Sequence, residues 1–344
     1  MKTRMIAQVL MVVVLLAVAG TAQAQGLIPD IKFGKNNDVK LNIKGFADAS
    51  FTQDLSGGKS DLLWNNFRPR LTLSIKDHWE IGTVINFADF QEPNGNWLRE
   101  LYVGYRFANE KWKLSVGRIF VAAGYSTPAP FELETVNYPF SDPFDAYAWG
   151  VGLEGKWGKD WSLRVSVSGA SDSVFSDDES WRRLEFSTRI EKGLEQGKIA
   201  VTVQASKDFL RLGTDFTWKP VKQFYLRTGL AYVDNTDDQT SNKIGAYVIG
   251  VYRPAQWFEF HSQLDGAADI QKSYYEWQKV KSDDGSMALE RVERFTSDET
   301  NVVWTNGVSV YVGKGNVFSF TVDYETAVDG EKPDRLLARA RFRF

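Results

Sequence analysis

The last eleven residues of the chain, 334–344, alternate between two kinds of side chain. Successive side chains of a β-strand point to opposite faces, so this pattern predicts a strand with one apolar face and one basic face. Such a strand fits the wall of a barrel that has lipid outside and a water-filled lumen inside. A strand of a soluble sandwich alternates in the same way, so the rest of the chain must decide between the two folds. Four arginines form the basic face: Arg335, Arg339, Arg341 and Arg343.

The same alternation recurs along the chain in about sixteen runs. Single-chain bacterial outer-membrane barrels have an even number of antiparallel strands, each about 9–11 residues long. The runs therefore predict an all-β fold, a transmembrane antiparallel β-barrel. They cover residues 39–51, 62–76, 79–89, 97–107, 111–119, 146–157, 161–170, 180–190, 197–206, 209–219, 222–233, 242–253, 256–266, 300–313, 316–325 and 334–344.

The lengths of the connections support the barrel over the sandwich. Connections after the even-numbered runs are short, whereas those after the odd-numbered runs are mostly long and rich in Asp, Asn, Ser and Gly. Outer-membrane barrels have short periplasmic turns at one rim and longer external loops at the other. A sandwich has no reason to sort its loops in this way. A closed sheet also pairs every backbone polar group, as the lipid environment requires.

Two further segments, 273–281 and 286–296, flank the turn signal Asp283-Asp284-Gly285. As membrane strands they would raise the number of strands to eighteen, which is also allowed. Neither segment has a clean lipid face, because Arg291 shares a face with apolar residues, and Arg at mid-depth costs about 2–4 kcal/mol. The interpretation is a hairpin that stands outside the membrane.

Residues 1–24 have the pattern of a cleaved signal peptide: two basic residues, an apolar run, and Ala22-Gln23-Ala24 before the cleavage site. Residues 25–344 are then a single barrel domain in the bacterial outer membrane, reached by export through the periplasm. The chain has no Cys and only two His. Disulfides and thiolate metal sites are therefore excluded, and we expect no metal and no cofactor.

Basic residues dominate the face that the alternation assigns to the lumen, although the whole chain has 41 Lys and Arg against 44 Asp and Glu. Rings of Arg and Lys are the way in which anion-preferring pores are built. The alternative is that these residues lie near the rims, because alternation fixes the face of a strand but not the depth. The predicted pore-lining bases are Arg68, Arg70, Arg106, Lys113, Arg164, Arg183, Arg189, Arg211, Arg227, Arg335, Arg339 and Arg341.

The third long connection, 120–145, contains four prolines and no alternation. A connection of this length in a compact protein is usually functional or disordered. We expect it to fold into the lumen and narrow the pore, with its carboxylates facing arginines of the wall. The alternative is an external loop that shields the rim. Its predicted constriction residues are Glu132, Glu134, Asp142 and Asp145.

The signal peptide, the sorted loops, the long third loop and the terminal Phe344 together resemble the bacterial porins. Segments 98–105 (LRELYVGY) and 114–118 (LSVGR) resemble more narrowly the phosphate-selective (O/P-type) porins. The resemblance implies a sixteen-stranded, often trimeric, passive channel whose terminal aromatic residue is recognised by the barrel-assembly machinery. Phosphate-selective relatives line their constriction with basic residues, whereas the third loop of this chain is acidic.

The function predicted from the sequence is passive diffusion of small hydrophilic solutes and ions, with a preference for anions and, through the resemblance, phosphate. The partners expected are outer-membrane lipid, these solutes, the assembly machinery and further copies in a homotrimer, but no nucleic acid. A surface adhesin or structural barrel, carried by the hairpin near 273–296, is an alternative. A barrel hydrolase is a weaker one, because His261 points inward while Ser262 points outward, and His78 falls in a turn. We therefore expect no enzyme activity.

Overall fold

The structure is a computed structural model that describes most of the chain. The predicted signal peptide, the four carboxylates of the third loop, Arg183 and Phe344 lie outside the described residues, so the predictions about them stay predictions. The described residues are 30–34, 38–56, 60–76, 78–87, 98–108, 110–121, 147–169, 184–236, 241–271, 273–281, 287–295, 299–312, 318–328 and 334–343.

The described part of the chain is folded almost entirely into β-strands. None of its helical residues forms a helix long and apolar enough to cross a membrane. The strands are β1 (Ile31–Phe33), β2 (Val39–Asp54), β3 (Ser60–Ile75), β4 (Trp79–Ile85), β5 (Leu98–Phe107), β6 (Trp112–Phe120), β7 (Tyr147–Trp157), β8 (Trp161–Gly169), β9 (Leu184–Leu194), β10 (Gly197–Ala205), β11 (Phe209–Val221), β12 (Phe224–Asn235), β13 (Asn242–Ala255), β14 (Phe258–Ile270), β15 (Ser273–Lys281), β16 (Met287–Phe295), β17 (Thr300–Val312), β18 (Phe318–Ala327) and β19 (Arg335–Arg343).

Sixteen of these strands form one closed antiparallel barrel. Each strand from β2 to β13 pairs with the next one, and β14 pairs with β17, which continues the ring through β18 to β19. The last strand then pairs with the first, since Arg339 of β19 lies opposite Ser50 of β2. Every inner strand thus has two neighbours and the wall has no free edge, as a sheet in lipid requires.

Three strands are additional to the ring. β1 pairs with the first residues of β2, with Ile31 opposite Leu41. It lies on the same edge of β2 as β19, which pairs with the later residues of that strand. β15 and β16 pair only with each other, in a two-stranded sheet of their own. The prediction of a hairpin separate from sixteen membrane strands is confirmed, and the eighteen-stranded alternative is wrong.

The burial of the wall is the reverse of that in a soluble protein. Aliphatic residues in mid-strand face outward, and Val116 and Val201 are each 53% exposed. Carboxylates face inward, and Glu259 and Asp323 are each 0% exposed. A soluble protein would not leave such an apolar surface in water while burying its acids. The outer face is therefore the lipid-contacting face of a membrane barrel.

Tryptophans mark the rim at which the short turns lie. Trp157 and Trp161 flank a three-residue turn and stack with their ring centroids 5.6 Å apart. Trp79 follows another short turn and packs on Tyr105 at 4.8 Å. Trp257, in the turn between β13 and β14, is 60% exposed. Aromatic girdles of this kind sit at the interface between membrane and water, which fixes the depth of the barrel.

The sequence placed all sixteen wall strands, with ends that differ by a few residues from the structure. The ladder between β2 and β3 is irregular at one point, but not at Pro69, which lies in regular register opposite Gly45. The irregularity falls instead between Asp48 and Ala49, where β3 has an extra residue. Pro69 is accommodated without a bulge, so its lack of an N–H is not what disturbs the ladder.

Candidate solute channel

The inner surface of the barrel is lined by polar side chains that the strands bring into rows across the wall. Rows arise because every second residue of each strand faces the lumen and antiparallel register places these residues side by side. The acidic side chains of this inner face are largely buried, since Asp48, Glu80, Glu100, Glu185 and Asp215 all have at most 9% exposure. The basic residues lie among them, so the lumen wall consists of ion pairs.

The longest row runs from β4 to β8. Glu80 accepts hydrogen bonds from Tyr102 and from Arg106 Nη2, the latter at 2.8 Å. Lys113 Nζ joins Glu80 at 3.4 Å to Glu154 at 2.8 Å. Arg164 extends the row, with Nε 3.4 Å from Glu154. Positive and negative groups alternate along this row, so most of the charge of each base is compensated within the wall.

A glycine makes room for part of this row. Tyr102 lies across Gly82 of the neighbouring strand, and a Cβ at Gly82 would overlap the tyrosine ring. The absence of that Cβ lets the Tyr102 hydroxyl reach Glu80. Lys113 Nζ lies 4.9 Å from the centre of the same ring, a favourable cation–π distance.

Beside this row, Arg70 donates from Nη2 to Glu100 Oε2 at 2.6 Å. The side chain of Glu100 is only 2% exposed, whereas that of Arg70 is 37% exposed. The guanidinium therefore covers the carboxylate and presents its outer side to the lumen. Both residues line a cavity of about 400 Å³ together with Lys44 and Phe120.

A second group of ion pairs lies on β9 to β11. Arg189 binds Asp215 through two parallel hydrogen bonds of 2.6 and 2.9 Å and also donates to the Thr202 hydroxyl at 2.9 Å. Bidentate pairs of this kind fix geometry as well as charge. Arg211 is on β11, the strand that also bears Asp215. It donates to Gln204 at 3.1 Å and lies 4.0 Å from the ring centre of Phe209.

A third group crosses β13, β14, β17 and β18. Arg253 donates from Nε to Glu259, whose other oxygen lies 3.5 Å from His261 Nδ1. His261 Nε2 reaches Asp323 Oδ1 at 2.6 Å. His261 and Asp323 are on strands that do not pair, and Gly307 lies between them. A Cβ at Gly307 would overlap both side chains, so a glycine there permits the contact.

The ring closes on an ion pair between its first and last strands. Arg341 Nη2 lies 2.7 Å from Asp48 Oδ2, and the two side chains are 3% and 1% exposed. The guanidinium of Arg341 also lies 5.1 Å from the ring centre of Phe46, which has Arg68 on it at 5.9 Å. This part of the wall is a packed polar core, not a surface open to water.

The predicted pore-lining bases occupy different positions with respect to the water in the lumen. Arg339 and Arg341 are buried, at 4% and 3% exposure, within the wall. Arg335 is partly exposed and lies 3.3 Å from Asp54 and 3.7 Å from Glu325. Arg227 lies 5.9 Å from the ring of Tyr225. Arg70, Arg106 and Arg164 are also partly exposed, at 37%, 35% and 33%.

The sequence did not identify Arg253 as a lumen residue, because β13 is apolar on both faces. Its inward positions Tyr247, Ile249 and Val251 are buried and pack with Tyr225. Without polar residues at these positions, alternation gave no signal for the inward face of this strand. Arg253 follows Val251 by two residues and therefore shares its face of the strand. Knowledge that Val251 faces inward would have identified Arg253 as a lumen residue.

Comparisons with known proteins fit this architecture at the level of the fold. A scan against protein-family models and a search of curated proteins found no match. Among solved structures, the chain resembles OmpF of Salmonella typhi in a complex with daunomycin (TM-score 0.63, 10% identity, 92% of this chain and 100% of that chain). It also resembles the outer membrane channel DcaP of Acinetobacter baumannii (0.61, 13%, 91% and 99%) and a mutant of the Rh. blastica porin (0.54, 13%, 88% and 100%).

The chain has the porin fold. At 10–13% identity the likeness concerns the fold alone, and it agrees with the sixteen-stranded closed wall. A barrel of this fold, with an apolar outer face and a Trp-bearing rim, lies in the bacterial outer membrane. The narrower resemblance to phosphate-selective porins stays a prediction.

Proposed function

We propose that the protein is a passive outer-membrane channel for small hydrophilic solutes and ions, with a weak preference for anions. Sixteen strands enclose a lumen wide enough for water, because the width of a barrel grows with the number of strands. The polar inner face described above supports diffusion of hydrated solutes through that lumen. No step of this function requires a cofactor, so the expectation of none is kept.

The anion preference is supported by one feature, the order of the charges from the wall to the lumen. In the pairs Arg70–Glu100 and Arg253–Glu259 the basic side chains are 37% and 43% exposed, whereas the acids are 2% and 0% exposed. In the pair of Arg106 and Glu80 the values are 35% and 11%. At these three pairs a passing ion therefore meets the guanidinium group first and the carboxylate behind it, whereas at Lys113 and Glu154 the acid is the more exposed partner. Ion pairing makes the resulting field small, which is why the proposed preference is weak.

The experiment is a measurement of the reversal potential across a planar lipid bilayer that separates two KCl concentrations. We expect discrete conductance steps and a reversal potential with the sign of chloride preference. The variants Arg106→Gln and Arg253→Gln should each lower this preference. Lys222→Gln removes a positive charge from a short turn and serves as the control that should leave it unchanged. Preference for potassium would contradict the selectivity proposal, and absence of conductance would contradict the channel itself.

Several finer parts of the proposal depend on residues outside the described chain. We propose that residues 1–24 are cleaved on export, that Phe344 is recognised by the assembly machinery, and that the acidic loop 120–145 narrows the lumen. Homotrimer formation belongs to the same group of proposals, whereas the phosphate preference that the resemblance implies stays a prediction, which a titration with phosphate tests. Mass determination of the purified protein tests the cleavage, and native mass spectrometry tests the trimer.

A second function is suggested by β15 and β16, which form a separate two-stranded sheet in the connection between β14 and β17. A surface adhesin or structural role would be carried there. A hydrolase is not favoured, because both ring nitrogens of His261 face carboxylates. Within the described residues, no hydroxyl group hydrogen-bonds to that ring, as a nucleophile activated by it would require.

A further inference from the structure

Two cationic side chains lie directly opposite each other on the lumen face. Lys44 of β2 and Arg70 of β3 are partners in the register, and both line the cavity of about 400 Å³. Like charges in directly opposite positions destabilise a strand pair. Arg70 is partly compensated by Glu100 through one guanidinium nitrogen. Lys44 is exposed and has no ion-pair partner in the described part of the chain. An unfavourable pair of this kind is relieved by a bound anion.

The rest of the cavity is lined by uncharged polar and apolar side chains as well as by ion pairs. The neighbouring pair in the register, Asn42 and Thr72, adds polar groups next to the two cations. The lining also includes Phe120, which is partly exposed and provides apolar surface, and the buried side chains of Tyr102 and Ile119. Phe120 is held in place by an edge contact with Tyr147, at 5.5 Å between ring centres, and by Arg164 at 5.2 Å from its ring.

The overall charge of the lining limits the charge of a ligand. Four bases and three acids line the cavity, so the net charge is about one positive unit. The three acids are each paired with a base of the wall, Glu80 and Glu154 with Lys113 and Glu100 with Arg70. A monovalent anion would neutralise the remaining charge, whereas a dianion would leave an excess of negative charge. The lining thus favours one carboxylate over a doubly charged phosphate. The seven residues are Lys44, Arg70, Lys113, Arg164, Glu80, Glu100 and Glu154.

We propose that this cavity is a binding subsite for small organic monocarboxylates. The carboxylate lies between Lys44 and Arg70, and the apolar group of the solute lies against the partly exposed ring of Phe120. An inorganic anion would fill only the cationic part of the cavity, and an uncharged solute only the apolar part. The subsite rests on the proposed channel function, since a solute reaches it through the open lumen. It goes beyond that function because it selects among anions by their apolar group.

The test is a titration of the full chain in planar bilayers with benzoate, acetate and inorganic phosphate at pH 8, where phosphate is mostly doubly charged. Benzoate should reduce the single-channel conductance in a saturable manner and at concentrations at least tenfold lower than acetate or phosphate. Lys44→Gln should raise the half-blocking concentration of benzoate at least tenfold, whereas Lys44→Arg should restore it. Equal block by benzoate and acetate, or equal block of wild type and Lys44→Gln, would overturn the proposal.

The matched control is Lys243→Gln. Lys243 is an exposed lysine of β13, on another part of the wall, and lies 3.5 Å from Asp269 rather than opposite a second base. This variant should leave the benzoate titration unchanged; a loss equal to that of Lys44→Gln would show a general effect of lumen charge and overturn the subsite. Heat-dependent gel mobility checks that every variant is folded.

A second readout separates failure of the subsite from failure of the channel. Saturation-transfer NMR with benzoate on the detergent-solubilised barrel reports binding without conductance, and acetate serves as the reference ligand. A signal that is lost in Lys44→Gln supports the subsite even if bilayers show no channel. Normal conductance with no such signal and no block would overturn the subsite and leave the proposed channel intact.

Discussion

The ion pair between Arg341 and Asp48 gives the sharpest test of how the barrel is closed. It joins the last strand to the first, at 2.7 Å, with both side chains almost completely buried. The substitution Asp48→Asn keeps the size of the side chain and removes its charge. Arg341 is then left as a buried cation with Arg339, a second buried arginine, near it.

The expected loss of stability follows from burial. Removing one partner of a buried pair costs about 3–5 kcal/mol, because the remaining charge keeps its desolvation penalty without its counter-charge. With a urea dependence of about 3 kcal/mol per molar, the unfolding midpoint should fall by about 1–2 M. Asp269→Asn is the matched control, because Asp269 pairs with Lys243, which is 55% exposed. Removal of such a surface pair should cost about 1 kcal/mol or less.

The assay is urea unfolding of the barrel refolded into detergent micelles, followed by tryptophan fluorescence. A double variant that replaces both buried partners by apolar residues, Asp48→Leu with Arg341→Met, should regain most of the loss, since the cation that faced Asp48 is removed together with it. Equal midpoints for Asp48→Asn and Asp269→Asn would refute the reasoning. It would mean that water reaches Arg341 and that the two end strands are not packed as described.

Other positions test the remaining parts of the wall. Gly307→Ala should lower the unfolding free energy by about 1–3 kcal/mol, because the added Cβ must displace the side chains of His261 and Asp323. Urea unfolding measures this loss. Gly250→Ala is the control, because a Cβ at Gly250 meets nothing within 4 Å. Val201→Arg should cost about 2–4 kcal/mol, because Val201 is in the middle of β10 on the lipid face; an unchanged urea midpoint would contradict that placement.

The strands and their faces were predictable because the pattern is local. Each wall strand alternates over nine or more residues in most cases, and a shift by one residue would turn every polar side chain toward lipid. Arg339 of the last strand illustrates this, since its inward face follows from its own neighbours Ala338 and Ala340. The separate hairpin was also predictable, because charge on both faces of 286–296 excludes contact with lipid.

The pairing of charges was not predictable from the sequence. Asp48 and Arg341 are 293 residues apart, and their contact depends on the register between the first and last strands. The exposed fraction of an inward side chain likewise depends on the residues that pack around it from other strands. Arg70 and Arg341 both lie on the inner face, yet one is 37% and the other 3% exposed. Counts of basic residues therefore overstate the positive charge that solutes meet.

The central claim is that the apolar face of the wall contacts lipid while the face that bears the charged side chains borders the water of the lumen. The chain has no cysteine, so single cysteines can carry a spin label at any position. For the barrel in lipid vesicles, we predict that labels at Val116 and Val151 are relaxed by oxygen and those at Lys44 and Glu154 by a water-soluble nickel complex. Equal access of the nickel complex to all four positions would contradict the account.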